Sequence, residues 1–189
     1  MKKPFGNFML PIAIGLLLYL GSGCQRTPPA KTYRIGFSQC CNDPWRDAMN
    51  GEMYRELPLH PELDFVMREA GNDSENQIAQ IREMVALGLD LLIVSPNEAK
   101  PLTPIVEEVF QQGIPVILID RKTESERYTA FIGADNFEIG KTAGKYIANK
   151  FEGQAKILEI QLGMTMTPAR ERNRGFLEAI LNEITEHLS

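Results

Sequence analysis

Three cysteines, two histidines and one tryptophan are all that this 189-residue chain has of those residue types, and each scarcity removes a class of chemistry. Cys40 and Cys41 are adjacent in the stretch SQCCND. Neighbouring Cα atoms lie about 3.8 Å apart, below the usual disulfide range, and closing so small a ring strains the peptide between them. A bond between the two is therefore not expected; they either pack a loop as small polarizable side chains or serve as a redox pair. The two histidines, His60 and His187, stand apart from the cysteines, so no convergent metal set and no cofactor is expected. No Ser-His-Asp constellation can be assembled from them either. GKTAG at 140–144 lacks the upstream glycine of a phosphate loop and falls inside a helical pattern. Catalysis is accordingly not expected. An excess of positive charge is missing too: 20 basic residues face 25 acidic ones, a net charge of −5, and such a chain has no bulk attraction to phosphate backbones. Nucleic acid is not an expected partner.

What the chain does have begins at its N-terminus. Lys2 and Lys3 precede the apolar run FMLPIAIGLLLYL at 8–20 and then GSGC. The run is short of the roughly 20 residues of a membrane span and has the form of a secretory signal. Small residues ending in Cys24 resemble the lipobox of bacterial lipoproteins, although Gly21 stands where that motif usually has a larger aliphatic residue. The expectation is a signal peptide over 1–23, lipidation of Cys24, and a stiff polar tether over 24–30 containing Pro28 and Pro29. The alternative is an ordinary signal or an uncleaved anchor, with Cys24 a bystander.

Strand and helix signals then alternate. Tyr33, Ile35 and Phe37 have strand period, and Asp43 followed by Pro44 opens a helix in which Trp45, Met49 and Met53 recur every fourth residue. LDFVMRE (63–69) reads as a second strand. A helix starting at Asp73 or Ser74 carries Ile78, Ile81 and Val85 and stops at Gly88. LLIVSP is a third strand; Ile105, Val106, Val109 and Phe110 mark a third helix; PVILID (115–120) is a fourth strand. Such strands, poor in polar residues and separated by helices, predict an α/β fold, a doubly wound parallel sheet covered on both faces. TAFIGAD supplies a short further strand. A helix from Asn136 carries Ile139, Ala143, Ile147 and Phe151, with Gly140 and Gly144 four apart and open to close backbone approach; KILEIQ is a strand, and a last helix capped by Thr167 carries Phe176, Ile180 and Ile184.

IGFSQCCNDPW, NDSENQIAQIREMVALGLDLLIVSPNE, IPVILIDR, IGADNFEIGKTAGKYI and TPARERNRGF, in that order, resemble the periplasmic sugar-binding proteins of the ribose-binding type. GFSQCCNDPWR is most similar to the sensor domains of hybrid histidine kinases in that family. The resemblance implies two doubly wound lobes with a sugar between them, here a nearly complete first lobe over 31–133 and part of a second over 134–189. It also implies a periplasmic location and, as partner, an ABC transporter permease or a histidine kinase. A repressor core of the same family and an enzyme on a flavodoxin-like sheet are the competing classes; the export signal speaks against the first.

Ligands of open parallel sheets sit outside the carboxyl ends of the strands, where SQCCND, SPNE and IDR all fall. Sugars call for an aromatic face beside carboxylates and guanidiniums. The resemblance makes Trp45 a stacking aromatic, although its spacing with Met49 and Met53 equally suits a buried stripe. Arg46 stands where the family often has a second aromatic, which points to an acidic or differently shaped ligand or to a solvated charge. Asp120 and Arg121 match the family's acidic and basic pair for ring hydroxyls, and Arg170 matches the first arginine of its ARER element. Gln39 and Asn97 are loop amides of lesser weight.

Overall fold

The computed structural model describes residues 31–152 and 154–187, with side chains as far as Asn182. The signal, Cys24 and the tether lie outside the described residues. So does the Ile184 side chain.

Five strands form one sheet: β1 (Tyr33–Gln39), β2 (Leu63–Glu69), β3 (Leu91–Ser95), β4 (Val116–Ile119) and β5 (Ala130–Ile132). Every neighbouring pair is parallel, and the spatial order is β2-β1-β3-β4-β5. The first three connections are the helices α1 (Pro44–Glu56), α2 (Ser74–Ala86) and α3 (Ala99–Gln111). Parallel strands require such crossovers, because a tight turn cannot return the chain to the same end of the sheet. The α/β expectation and the parallel sheet hold.

The helix starts follow the local chemistry. Asp43 caps α1 by accepting the Arg46 N–H, with Pro44 in the first turn, and Asp73 caps α2 by accepting from Glu75 and Asn76. Both caps satisfy amide hydrogens that have no partner inside the helix. On one face of the sheet, α2 and α3 bury Leu92, Val94, Val116 and Leu118 with Ile81, Met84, Leu102, Val106 and Val109, in a core without exposed members. Gly36 lets this layer close tightly, since a methyl group there would lie 2.8 Å from Leu89 Cδ1. The opposite face is covered less completely. Tyr54 of α1 meets Phe65 edge-on and Phe65 meets Phe37, while Ile117 and Ile119 remain half-buried. Coverage of both faces, expected from the apolar strands, is thus unequal.

After β5 come α4 (Asn136–Lys150) and α5 (Thr167–His187), which pack chiefly against each other. Their contact uses backbone as much as side chain. Methyl groups at Gly140 and Gly175 would run into the carbonyls of Arg172 and Phe137, and one at Gly144 would lie 2.7 Å from the Phe176 carbonyl oxygen. The buried stripe of α4 is therefore Asn136, Gly140, Gly144 and Ala148, one position round from the expected Ile139, Ala143, Ile147 and Phe151. KILEIQ does not form the expected strand: residues 155–162 pair with no strand among the described residues, and Leu158, Ile160 and Leu162 are largely exposed. Period-two apolarity prepares a segment for a sheet, but a strand exists only when a neighbour takes its backbone hydrogen bonds.

Candidate functional site

The strand order reverses between β1 and β3, so their carboxyl ends open a crevice into which the β1–α1, β3–α3 and β4–β5 loops project. The β1–α1 loop brings Asp43 and the first turn of α1 brings Trp45 and Arg46; the β3–α3 loop brings Asn97; the end of β4 brings Asp120 and Arg121.

Arg46 is the hub. Although charged, it is only 5% exposed. Its Nη1 donates to Asp43 Oδ2 at 2.7 Å, its Nη2 to Asp120 Oδ2 at 2.9 Å, and its Nε to Gln39 Oε1 at 3.2 Å and Cys40 Sγ at 3.1 Å. A buried guanidinium persists only when paired in this manner. Burial by itself lowers its pKa, but the neighbouring cysteines and Asp43 outweigh that and the net shift is upward. The Arg46 backbone N–H is the largest influence holding the Asp43 carboxyl below the usual aspartate range; desolvation opposes it, and the Arg46 guanidinium adds to the lowering. Arg46 therefore faces inward, and the solvated charge contemplated from sequence is not what forms.

Asp120 occupies the left-handed region with φ 66°, sparsely populated by non-glycine residues but favoured among them by Asp and Asn. That backbone turn follows directly on β4, with the Asp120 N–H still bonded to the Ile132 carbonyl at 2.8 Å. Arg121 reaches back to the β3–α3 loop, donating from Nη1 to the Asn97 carbonyl at 3.0 Å and lying 3.7 Å from Asp120 through Nε. Asn97 spends its amide hydrogens on the Asn72 carbonyl and Ser74 Oγ.

Trp45 is 55% exposed, with Arg46 Cζ 5.4 Å from its ring centroid. Of the two readings left open by its spacing, the core stripe is the one the structure removes. Gln39 lies beneath the crevice instead of lining it: wholly buried, it donates to Asn50 and accepts from Arg46. The Cys40 and Cys41 sulfurs are 3.2 Å apart, unbonded and buried. Burial, followed by the hydrogen bond and charge of Cys40, pushes the Cys41 thiol up to about 11, so at neutral pH it is neither thiolate nor nucleophile.

Arg170 stands apart from this group. It pairs with Glu124 at 3.0 Å, while Thr167 Oγ1 accepts the Lys122 N–H at 2.9 Å and the Thr165 carbonyl accepts the Ala99 N–H at 3.2 Å. The segment leading into α5 is thereby laid against the loops after β3 and β4. Thr167, expected as a cap for its own helix, opens α5, and its hydroxyl oxygen accepts the Lys122 N–H. A groove of about 530 Å³ between α4, α5 and residues 157–162 lies elsewhere and is walled by Ile139, Ala143, Ile147, Ile157 and Ile160, surfaces suited to packing more than to hydroxyl groups.

Two residues escaped sequence reasoning. Asp43 was legible as a cap, and its spacing of three from Arg46 was the available signal for the ion pair. Gln77, fully buried on α2, donates to the Ser38 side chain and the Ser95 carbonyl and accepts the Asn97 N–H. It ties the carboxyl ends of β1 and β3 to each other and to the β3–α3 loop, and only its place on an apolar helix face marked it.

Comparison with known proteins gives a consistent result. A family model described as periplasmic binding protein domain matches residues 37–187. The ribose import binding protein of Bacillus subtilis is 26% identical over 176 residues, 87% of this chain and 57% of that protein. The galactofuranose-binding protein of Escherichia coli is 29% identical, with 78% of this chain and 48% of that protein covered. Among solved structures, the fructose-binding periplasmic domain of a hybrid two-component system is 48% identical with a TM-score of 0.75, covering 79% of this chain and 50% of that one. The chain thus spans about half the length of the relatives it matches.

Proposed function

Since the chain belongs to the periplasmic binding protein domain family, a family of solute-binding and not catalytic proteins, we propose that it is an exported module that captures a small carbohydrate in the crevice at the carboxyl ends of β1, β3 and β4. In this reading residues 31–133 are the first lobe and 134–189 belong to a second. The observation that carries it is Trp45: a large aromatic held open to solvent at a topological switch point, next to Arg46, which bonds Asp120 of the Asp120–Arg121 pair. An apolar ring offers a platform for the C–H face of a sugar, and the pair supplies directional acceptors and donors for its hydroxyls. Asn97 flanks the site on the β3–α3 loop, Gln39 supports it from below, and Arg170, on α5 and paired with Glu124, is assigned to the facing wall that the second lobe supplies.

The 48% identity to a fructose-binding sensor domain favours relay to a histidine kinase, and the ribose import relatives favour delivery to an ABC permease. Either partner sits in a membrane, and either fits an extracytoplasmic protein held there by a lipid on Cys24. Thermal-shift titration with fructose, ribose and other monosaccharides tests the binding, because a ligand of the folded state alone raises its stability. The sugar that raises Tm is expected to change Trp45 fluorescence, and Trp45→Ala to weaken it by about tenfold or more. Unchanged affinity in a folded Trp45→Ala protein would remove Trp45 from the site. For the anchor, Cys24→Ser should release the protein into the soluble fraction, and recovery of residues 1–23 on the mature protein would refute lipidation.

A further inference from the structure

The two edges of the sheet are unlike. β5 ends it with three residues, whereas β2 ends it with seven, and no described segment pairs with the outer side of β2. The Tyr33 N–H donates to the Glu62 carbonyl and the Ala70 N–H to the Gln39 carbonyl, so the backbone groups of Asp64, Val66 and Arg68 face β1. Successive residues of a ladder alternate, and those of Phe65 and Met67 therefore point outward. Among the described residues the Phe65 N–H and carbonyl have no partner, and the Met67 carbonyl accepts only Arg68 Nη1, at 3.2 Å. Such a row of open donors and acceptors is a template for another strand, and LDFVMRE carries neither the proline, the lysine nor the bulge that commonly blunts one.

We propose that this edge is a dimer interface whose occupant is β2 of a second copy, running antiparallel about a two-fold axis at Val66. The charges select that register. Asp64 lies opposite Arg68 of the partner subunit and Arg68 opposite the partner subunit's Asp64, while Phe65 and Met67 exchange backbone hydrogen bonds with Met67 of the partner subunit and Phe65 of the partner subunit. An axis at Phe65 or at Met67 sets Asp64 or Arg68 against Val66 of the partner subunit instead. Both charges are available: Arg68 is exposed with no carboxylate in ion-pair range among the described residues, and Asp64 holds Arg34 Nε through Oδ2 alone, at 2.7 Å. Unlike charges directly opposite one another stabilise an antiparallel pair, and the two-fold axis makes every such contact twice. On the other face of the strand Tyr54, 49% exposed, meets Phe65 edge-on at 6.0 Å, so the thioether of the partner subunit's Met67 completes a cluster with two rings. The interface lies outside the crevice and does not rest on the carbohydrate reading.

Sedimentation of the full chain in mild detergent, over a series of concentrations, tests it and should show a monomer–dimer equilibrium. Arg68→Asp sets a carboxylate against Asp64 at both ends of the interface and should weaken dimerisation at least about tenfold while circular dichroism stays native, because Arg68 is exposed within its own copy. Arg68→Lys should keep the dimer. This pair of variants separates the strand contact from association through the apolar run at 8–20. Mild copper–phenanthroline oxidation of Val66→Cys should link two copies through residue 66, since facing residues without mutual hydrogen bonds bring their Cα atoms to about 4.5 Å, within disulfide reach. Leu63→Cys, roughly 20 Å from its own equivalent in that register, should not link. A monomer at every concentration, dimerisation indifferent to Arg68→Asp, or linkage through residue 63 as readily as through residue 66 overturns the proposal.

Discussion

In residues 33–132 most of the aliphatic side chains supplied by the strands find cover, whereas in residues 136–182 many comparable side chains do not. Leu92, Leu102 and Leu118 are wholly buried in the first region, while Leu158, Ile160 and Leu162 are 76–88% exposed in the second. Composition does not separate the two, since KILEIQ is as strand-like in pattern as TYRIGF. The difference lies in the number of neighbours: β1 is flanked by β2 and β3, and the 155–162 segment by no strand among the described residues. Hydrophobic burial is a property of an assembly of elements, and an apolar alternation gains from it only when the next layer is present.

The largest contrast should appear in amide hydrogen exchange. Amides of β1, β3 and β4 sit in a laddered, buried sheet and should exchange at least about a thousandfold more slowly than those of 156–162. Equal protection of the two segments would mean that 156–162 pairs with a strand in solution and that the second region is a complete unit.

Side-chain truncation sharpens the same comparison. Leu118→Ala should cost about 2–5 kcal/mol by chemical denaturation, the range for a buried leucine in a packed core. Leu158→Ala, at 88% exposure, should cost no more than about 0.5 kcal/mol. Similar costs would break the contrast between a filled core and an open one.

Between these lies Gly140→Ala. The methyl would collide with the Arg172 carbonyl, so α4 and α5 must separate, at a cost of about 1–3 kcal/mol. Sheet amides should keep their protection while those of α4 and α5 lose it. Loss across both regions would show that the two fold as one cooperative block.

The smallest effect is set by pH. Asp43 has a folded pKa below its ordinary value of 3.8, so its stabilising contribution is whole above that value and is lost as pH falls through the lower, folded one. Acid unfolding of the wild type should therefore be steeper below pH 3.8 than that of Asp43→Asn, as followed by circular dichroism. Superimposable acid limbs would show that the Asp43–Arg46 contact adds nothing to the sheet region.

Much of the sheet region was legible because its signals are local. Asp43 and Asp73 cap the helices expected of them, Gly88 ends the second, and LDFVMRE forms β2 with the expected bounds. At the site, Asp120 and Arg121 could be placed at a strand end and Trp45 in the first turn of the helix after β1 from sequence, since that placement follows from strand order and the Asp43–Pro44 helix start. The side chains of Gln39 and Arg46 could not be oriented. Gln39 is the last residue of its strand and faces Asn50, eleven residues on, and Arg46 faces Asp120, seventy-four residues on. A loop glutamine that lines a crevice and one that lies beneath it read identically along the chain.

The sequence by itself determined the α/β alternation, the helix starts and the loops that carry polar groups, because caps, turn residues and hydrophobic period act within a few residues of one another. Tertiary structure alone decided three things. It turned Arg46 inward, since a buried cation goes where carboxylates from other elements can pair it. It chose between two faces of α4 that the sequence offered, burying Gly140, Gly144 and Ala148 in place of Ile139, Ala143 and Ile147, since the glycine face met the backbone of α5. It left KILEIQ unpaired, since the hydrogen bonds that define a strand belong to two segments and are written in neither one alone.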